Sequence, residues 1–178
     1  MQIAVIGTGM VGRVLASRLA GLGHEVAIGT RDPQATMSRT EHDALGTPPY
    51  AQWAAEHPDV RLLQLAEAGA FAELVMNASN GANSIKALQG VGAENLAGKV
   101  LIDVALPLDM SQGMPPMLTV ANTDSLGEQI QREFPGAKVV KTLNTVFCEV
   151  MVHPERIPGG HTIFVAGDDA DAKATASQ

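Results

Sequence analysis

The chain opens on Gln2-Ile3-Ala4-Val5-Ile6, an apolar run without polar alternation, the pattern of a strand covered on both faces. The period then changes. Val11, Leu15, Leu19 and Leu22 recur at helical spacing, which predicts a helix from Met10 to about Leu22, stopped by Gly23. His24-Glu25-Val26-Ala27-Ile28 reads as a second strand and Pro33 to about Arg39 as a short helical turn. A loop through Gly46-Thr47-Pro48-Pro49 leads to a helix from about Tyr50 to His57. Asp59 to Leu63 predicts a third strand, Leu65 to Phe71 a helix, and Glu73 to Ala78 a fourth strand. Gly81 to about Gly90 is the next helix and Lys99 to Val104 a fifth strand, followed by a long loop with Pro107, Gly113, Pro115 and Pro116. Ser125 and Glu128 have capping-box spacing for a helix ending before Phe134-Pro135. Lys138 to Lys141 and His161 to Ala166 supply a sixth and a seventh strand. This alternation predicts an α/β fold: a doubly wound, mostly parallel sheet between two helical layers.

Between the first strand and the first helix stands Gly7-Thr8-Gly9-Met10-Val11-Gly12. In this context the three glycines play different parts. Gly7 permits the tight turn, Gly9 lets the backbone approach phosphates, and Gly12 lets the helix pack on the strand. The free N–H groups of the helix start then face a pyrophosphate. On this reading the fold is Rossmann-like and binds a dinucleotide; the plainer alternative is a structural glycine turn in another α/β domain. NAD-binding versions usually carry Asp or Glu at the end of the second strand. Here that place holds Gly29-Thr30-Arg31, a hydroxyl and a guanidinium suited to a 2′-phosphate, which predicts NADP(H). Asp32 reads as a helix N-cap with Pro33 in the first helical position.

In such sheets ligands bind beyond the carboxyl ends of the strands. The predicted fourth strand exits at Asn77-Ala78-Ser79-Asn80-Gly81, the fifth at Asp103 to Pro107, and the sixth at Thr142-Leu143-Asn144-Thr145. These turns are expected to rim the crevice, where small and amide side chains suit the nicotinamide ribose and carboxamide; ordinary loop residues are the alternative.

The length, 178 residues at 46% hydrophobic, suits one domain with a sizeable core. A net charge of −7 without a basic block gives no support to nucleic-acid binding, so a phosphorylated cofactor must be held by local donors. No apolar run has the length of a membrane span, and the N-terminus reads as a core strand rather than a signal peptide, so a cytoplasmic protein is expected. The lone Cys148 fits a reducing compartment and a buried, structural role.

Other chemistries leave little trace. No GxSxG elbow, HExxH or paired Cys/His cluster occurs, so no metal site and no catalytic acid, base or nucleophile is assigned. Glu41-His42-Asp43 reads as a surface loop, Asp168-Asp169 with Asp171 as a helix N-terminus, and Lys141 as a solvated strand end. Hydride transfer between two stacked redox rings needs orientation and exclusion of water more than a protein acid or base.

The segments Ile3 to Gly12, Gly29-Thr30-Arg31, Ala121 to Ile130, Val139 to Thr145 and Phe164 to Asp169 resemble the NADP oxidoreductase family dependent on the deazaflavin coenzyme F420, and the related dinucleotide-binding proteins. The resemblance implies hydride exchange between NADPH and a deazaflavin or flavin-like acceptor, with the rings face to face. It places the pyrophosphate at Thr8 to Val11, the 2′-phosphate at Thr30 and Arg31, Ala78 and Ser79 along the cofactor, and Asn144 and Thr145 by the nicotinamide and acceptor. It also implies a homodimer. Family members continue through a C-terminal helical part that helps build the acceptor pocket, whereas Ala176-Ser177-Gln178 reads as the interior of a helix. The expectation is therefore a single NAD(P)-binding domain over 1–178 without that part. Met110, Met114 and Met117 either line an acceptor site or cover the sheet edge.

A non-catalytic NADP(H)-binding sensor or regulatory module is the alternative function. A β-hydroxyacid or imine reductase needs a large helical second domain for which there is no room, and a methyltransferase needs the ribose-binding carboxylate that the second strand lacks.

Overall fold

The uninterrupted apolar runs form the middle of the sheet. In the computed structural model, which describes residues 1–43 and 46–178, Gln2–Ile6 (β1) is flanked by parallel Glu25–Thr30 (β2) and Leu74–Asn77 (β4). Arg61–Gln64 (β3) extends the sheet beyond β2. Val100–Asp103 (β5), Lys138–Thr142 (β8) and Val165–Ala166 (β9) extend it beyond β4. Among the described residues this is a seven-stranded sheet of order β3-β2-β1-β4-β5-β8-β9, parallel except for the antiparallel β9.

Strand order reverses between β1 and β4, where a doubly wound sheet opens its ligand crevice. The last paired rung there runs Leu63, Gly29, Ile6, Asn77, Asp103, Lys141, Ala166 across the sheet. Polar and charged side chains thus collect on one side of the reversal.

Successive strand residues point to opposite faces, and each face has its own core. Ala4, Ile6, Val75 and Leu101 pack against Leu65–Phe71 (α4), Ser84–Val91 (α5), Ala93–Leu96 (α6) and Leu126–Glu133 (α7) through Leu65, Leu88, Leu96 and Ile130. Ile3, Val5, Val26 and Ile28 pack against Met10–Gly21 (α1), Tyr50–Glu56 (α3) and Cys148–Val152 (α8) through Leu15, Tyr50 and Val152. The short Pro33–Met37 (α2) and the terminal Ala170–Ala176 (α9) complete the helical layers.

Local signals behave as expected. Asp32 caps α2, its Oδ1 accepting from the Ala35 amide at 2.9 Å with Pro33 next in line. Gly23, at φ +88°, ends α1, Ser125 caps α7, and Asp169 caps α9 while pairing with Lys138.

Two expectations change, and two helices appear where none was expected. The expected loop 106–119 contains an antiparallel ribbon, Leu108–Asp109 (β6) with Met117–Leu118 (β7), which leaves Met110, Met114 and Met117 exposed. The expected strand 161–166 is reduced to Val165–Ala166, because it pairs only with the end of β8. The apolar segment around Cys148 is helical, with Cys148 itself buried. A further short helix, α6, follows Gly92.

Candidate cofactor site

The site is built on the turn between β1 and α1. Gly7 lies at φ +132°, and a Cβ there would come within 2.5 Å of the Ala78 carbonyl oxygen, so only glycine lets the first and fourth strand exits abut. A Cβ on Gly12 would run into the Gly7 carbonyl oxygen, which fixes the close packing of helix on turn. At Gly9 a Cβ would meet nothing within 4 Å. Gly9 is the N-cap of α1 and offers no side chain to its amides, and no acidic residue occupies the first turn. Met10, Val11 and Gly12 therefore begin a twelve-residue helix whose partial positive end is open to an anion.

Arg13 fastens this turn to the rest of the molecule. Although charged it is only 8% exposed: Nε donates to the Thr8 carbonyl at 2.8 Å and Nη1 to the Pro48 carbonyl at 2.6 Å. The guanidinium lies 5.3 Å from the Tyr50 ring centroid. Burial lowers its affinity for the proton, while Tyr50 and Asp43 oppose that shift. Burial pushes the Tyr50 phenol up to about 12 against the lowering influence of Arg13, so it is neutral at physiological pH. Among the described residues the Tyr50 and Thr47 hydroxyls have no hydrogen-bond partner. Thr8, Gly9 and Arg13 line a cleft of about 450 Å³ together with residues 38–43 and 47–50.

At the end of β2, Thr30 is buried and its Oγ1 lies 2.8 Å from Thr36 Oγ1. The Thr36 hydroxyl hydrogen goes to the Asp32 carbonyl. Thr30 must then be the donor to Thr36, which leaves it only lone pairs for a ligand. Arg31, beside it, is exposed. The strand end thus presents one strong side-chain donor where the sequence suggested two.

Asn77 is fully buried rather than rimming the crevice. Its Nδ2 donates to Ser84 Oγ at 3.0 Å and to Asp103 Oδ1 at 2.8 Å, and its Oδ1 accepts from the Ser79 hydroxyl at 2.7 Å and the Ser79 amide at 3.3 Å. With these groups occupied, Asn77 shapes the turn that carries Ala78 and Ser79, both half-buried. Lys141 is not a solvated strand end: Nζ donates to Asp103 Oδ2 at 2.8 Å and to the Ala105 carbonyl. Leu143 takes φ +61° and the chain turns sharply, leaving Asn144 half-buried and Thr145 exposed, with no side-chain hydrogen bonds of their own among the described residues.

Sequence reasoning missed Arg13, Tyr50 and the Asp103–Lys141 pair. The burial of Arg13 depends on its hydrogen bond to Pro48, 35 positions away, and Asp103 and Lys141 meet through strand pairing. Among the described residues no group of three or more His, Cys, Asp or Glu is placed to hold a metal ion. None of the described helices is long and apolar enough to cross a membrane.

Comparison with known proteins agrees with this geometry. The family model described as NADP oxidoreductase, coenzyme F420-dependent, matches residues 2–107, which include the glycine turn, the end of β2 and the first two exit turns of the crevice. A solved structure from Arthrobacter sp. FB24, assigned as an F420-dependent NADP-reductase, is 61% identical with a TM-score of 0.93 over 98% of this chain and 77% of its own. The F420-dependent NADP reductase of Methanothermobacter marburgensis is 30% identical over 100% of this chain and 78% of its own length. The metalloreductase STEAP3 of Rattus norvegicus is 27% identical over 99% of this chain, which spans only 31% of that longer protein. The chain belongs to the coenzyme F420-dependent NADP oxidoreductase family.

Proposed function

We propose that this NADP-dependent oxidoreductase passes hydride between NADP(H) and a tricyclic deazaflavin or flavin acceptor. The observation that carries the reading is the open, uncapped start of α1 at Gly9, set against the exit turns of β4, β5 and β8. Gly7, Thr8, Gly9, Met10, Val11 and Gly12 hold the pyrophosphate through backbone amides and close approach. Arg31 takes the 2′-phosphate, with Thr30 placing it. Asn77 positions Ala78 and Ser79 along the cofactor, and Asn144 and Thr145 face the nicotinamide and the acceptor.

Bound NADPH supplies a hydride at its nicotinamide C4. The residues around it orient and exclude water, and no side chain is required to hold the transferring hydrogen. The resemblance to the F420-dependent family supports a deazaflavin acceptor, a flavin being the rival ring of the same tricyclic shape, and the similarity to a metalloreductase is the reason to include a ferric acceptor in the test. The apolar Met110, Met114 and Met117, exposed on the ribbon that follows the β5 exit, offer such a ring an adaptable surface. We further read residues 1–178 as one NADP-binding domain of a homodimer in a reducing, cytoplasmic setting, a reading supported by the family resemblance and the buried lone cysteine.

The test is oxidation of NADPH by the purified chain with a deazaflavin, free FAD or ferric citrate as sole acceptor. Turnover with the deazaflavin or FAD is expected. Tight NADPH binding without turnover on any of them would identify a binding module instead.

A further inference from the structure

The cleft beside the glycine turn has lining residues that the site described above does not use. Thr8 and Gly9, where the pyrophosphate is placed, line it, and so does the exposed Arg39. Two buried residues line it as well. Arg13 lies there with both its hydrogen bonds made to neutral carbonyls, and Tyr50, 2% exposed, carries a hydroxyl without a partner among the described residues. The Thr30 hydroxyl hydrogen is committed to Thr36, so Arg31 is the one strong side-chain donor that the end of β2 brings to an incoming phosphate. A phosphate dianion accepts several charge-assisted hydrogen bonds, and a second guanidinium is the natural complement. Glu41 and Asp43 line the same cleft, which makes it a poor general anion sink. It suits a ligand that joins one phosphate to a base with amino hydrogens, as an adenosine 2′-phosphate does.

We propose that this cleft forms the outer part of the subsite for the adenosine 2′-phosphate of NADP(H), with Arg39 as a specificity-determining cation additional to Arg31. The assignment rests on the NADP(H) reading above and deepens it: preference for NADP(H) over NAD(H) is set from two segments, the end of β2 and residues 38–43.

Calorimetric titration of the full chain with 2′,5′-ADP, 5′-ADP, NADPH and NADH tests it. Arg39→Ala is expected to weaken 2′,5′-ADP and NADPH by about tenfold and to leave 5′-ADP and NADH within about twofold. Because Arg39 is exposed, its melting temperature should match wild type, which separates lost binding from lost folding. An Arg39→Ala protein that keeps the wild-type preference for 2′,5′-ADP, or loses 2′,5′-ADP and 5′-ADP equally, overturns the assignment and leaves the NADP(H) reading standing. A wild-type protein without any preference for 2′,5′-ADP overturns both.

Discussion

Lys141 Nζ stands 2.8 Å from Asp103 Oδ2, with the Asp103 side chain fully buried and that of Lys141 23% exposed. The pair sits on the last rung of the sheet and ties the β5 exit to β8, because Lys141 also donates to the Ala105 carbonyl while Asp103 accepts from the Ala105 amide. Removing one partner leaves a buried charge without its counter-ion. Lys141→Met should therefore destabilise the fold by about 3 kcal/mol, and Asp103→Asn in the same chain should restore a large part of it. Urea denaturation of the two proteins is the check; equal stability of Lys141→Met and wild type would show the pair to be idle.

The glycine turn separates folding from binding. Gly12→Ala drives a methyl into the Gly7 carbonyl and should lower the melting temperature by at least about 4 °C. Gly9→Ala meets nothing, so its melting temperature should stay within about 2 °C of wild type while NADPH affinity falls at least about tenfold. Undiminished NADPH binding by Gly9→Ala would place the pyrophosphate elsewhere.

Much of this site was legible because its signals are local. The Asp32-Pro33 cap, the stop at Gly23 and the turn glycines Gly7 and Gly12 are signalled within a few residues, and each has the expected conformation or contact. What was not legible depends on distant partners. Asn77 looks like a rim residue until Ser84 and Asp103 close around it. Lys141 looks solvated until strand pairing brings it to Asp103, 38 positions earlier. Two-residue strands such as those of the 108–118 ribbon are too short to show a period. The helix that begins at Cys148 follows Phe147, which offers no side-chain cap, so no start signal marked it.

Arg31 makes a direct claim on cofactor choice. If its guanidinium bonds the 2′-phosphate, Arg31→Ala should cost roughly 1.5–3 kcal/mol for NADPH, about tenfold to a hundredfold in affinity, with little effect on NADH. Paired titrations of the variant with both nucleotides decide it. Equal losses for the two would remove Arg31 from the phosphate.

Tyr50 is the single tyrosine of the chain, so its ionisation can be followed by ultraviolet absorbance without interference from another phenol. Burial raises the folded phenol from about 10 to about 12, which means that folding favours the neutral form. Stability from this source is intact below about pH 10 and is lost as the pH rises toward 12. The tyrosinate signal should appear above about pH 11 together with unfolding, and Tyr50→Phe should flatten the fall in melting temperature over that range. A midpoint near 10 in the folded protein would contradict the burial of the phenol.

The most direct measurement of the central claim is a single turnover with NADPH deuterated at the nicotinamide C4 and an excess of deazaflavin, followed by mass spectrometry of the acceptor. Direct transfer across two facing rings predicts that label from one face of the nicotinamide appears in the reduced deazaflavin ring and that solvent hydrogen does not replace it. NADPH oxidation with the label lost to water, or no oxidation by deazaflavin or flavin despite tight NADPH binding, would contradict the account.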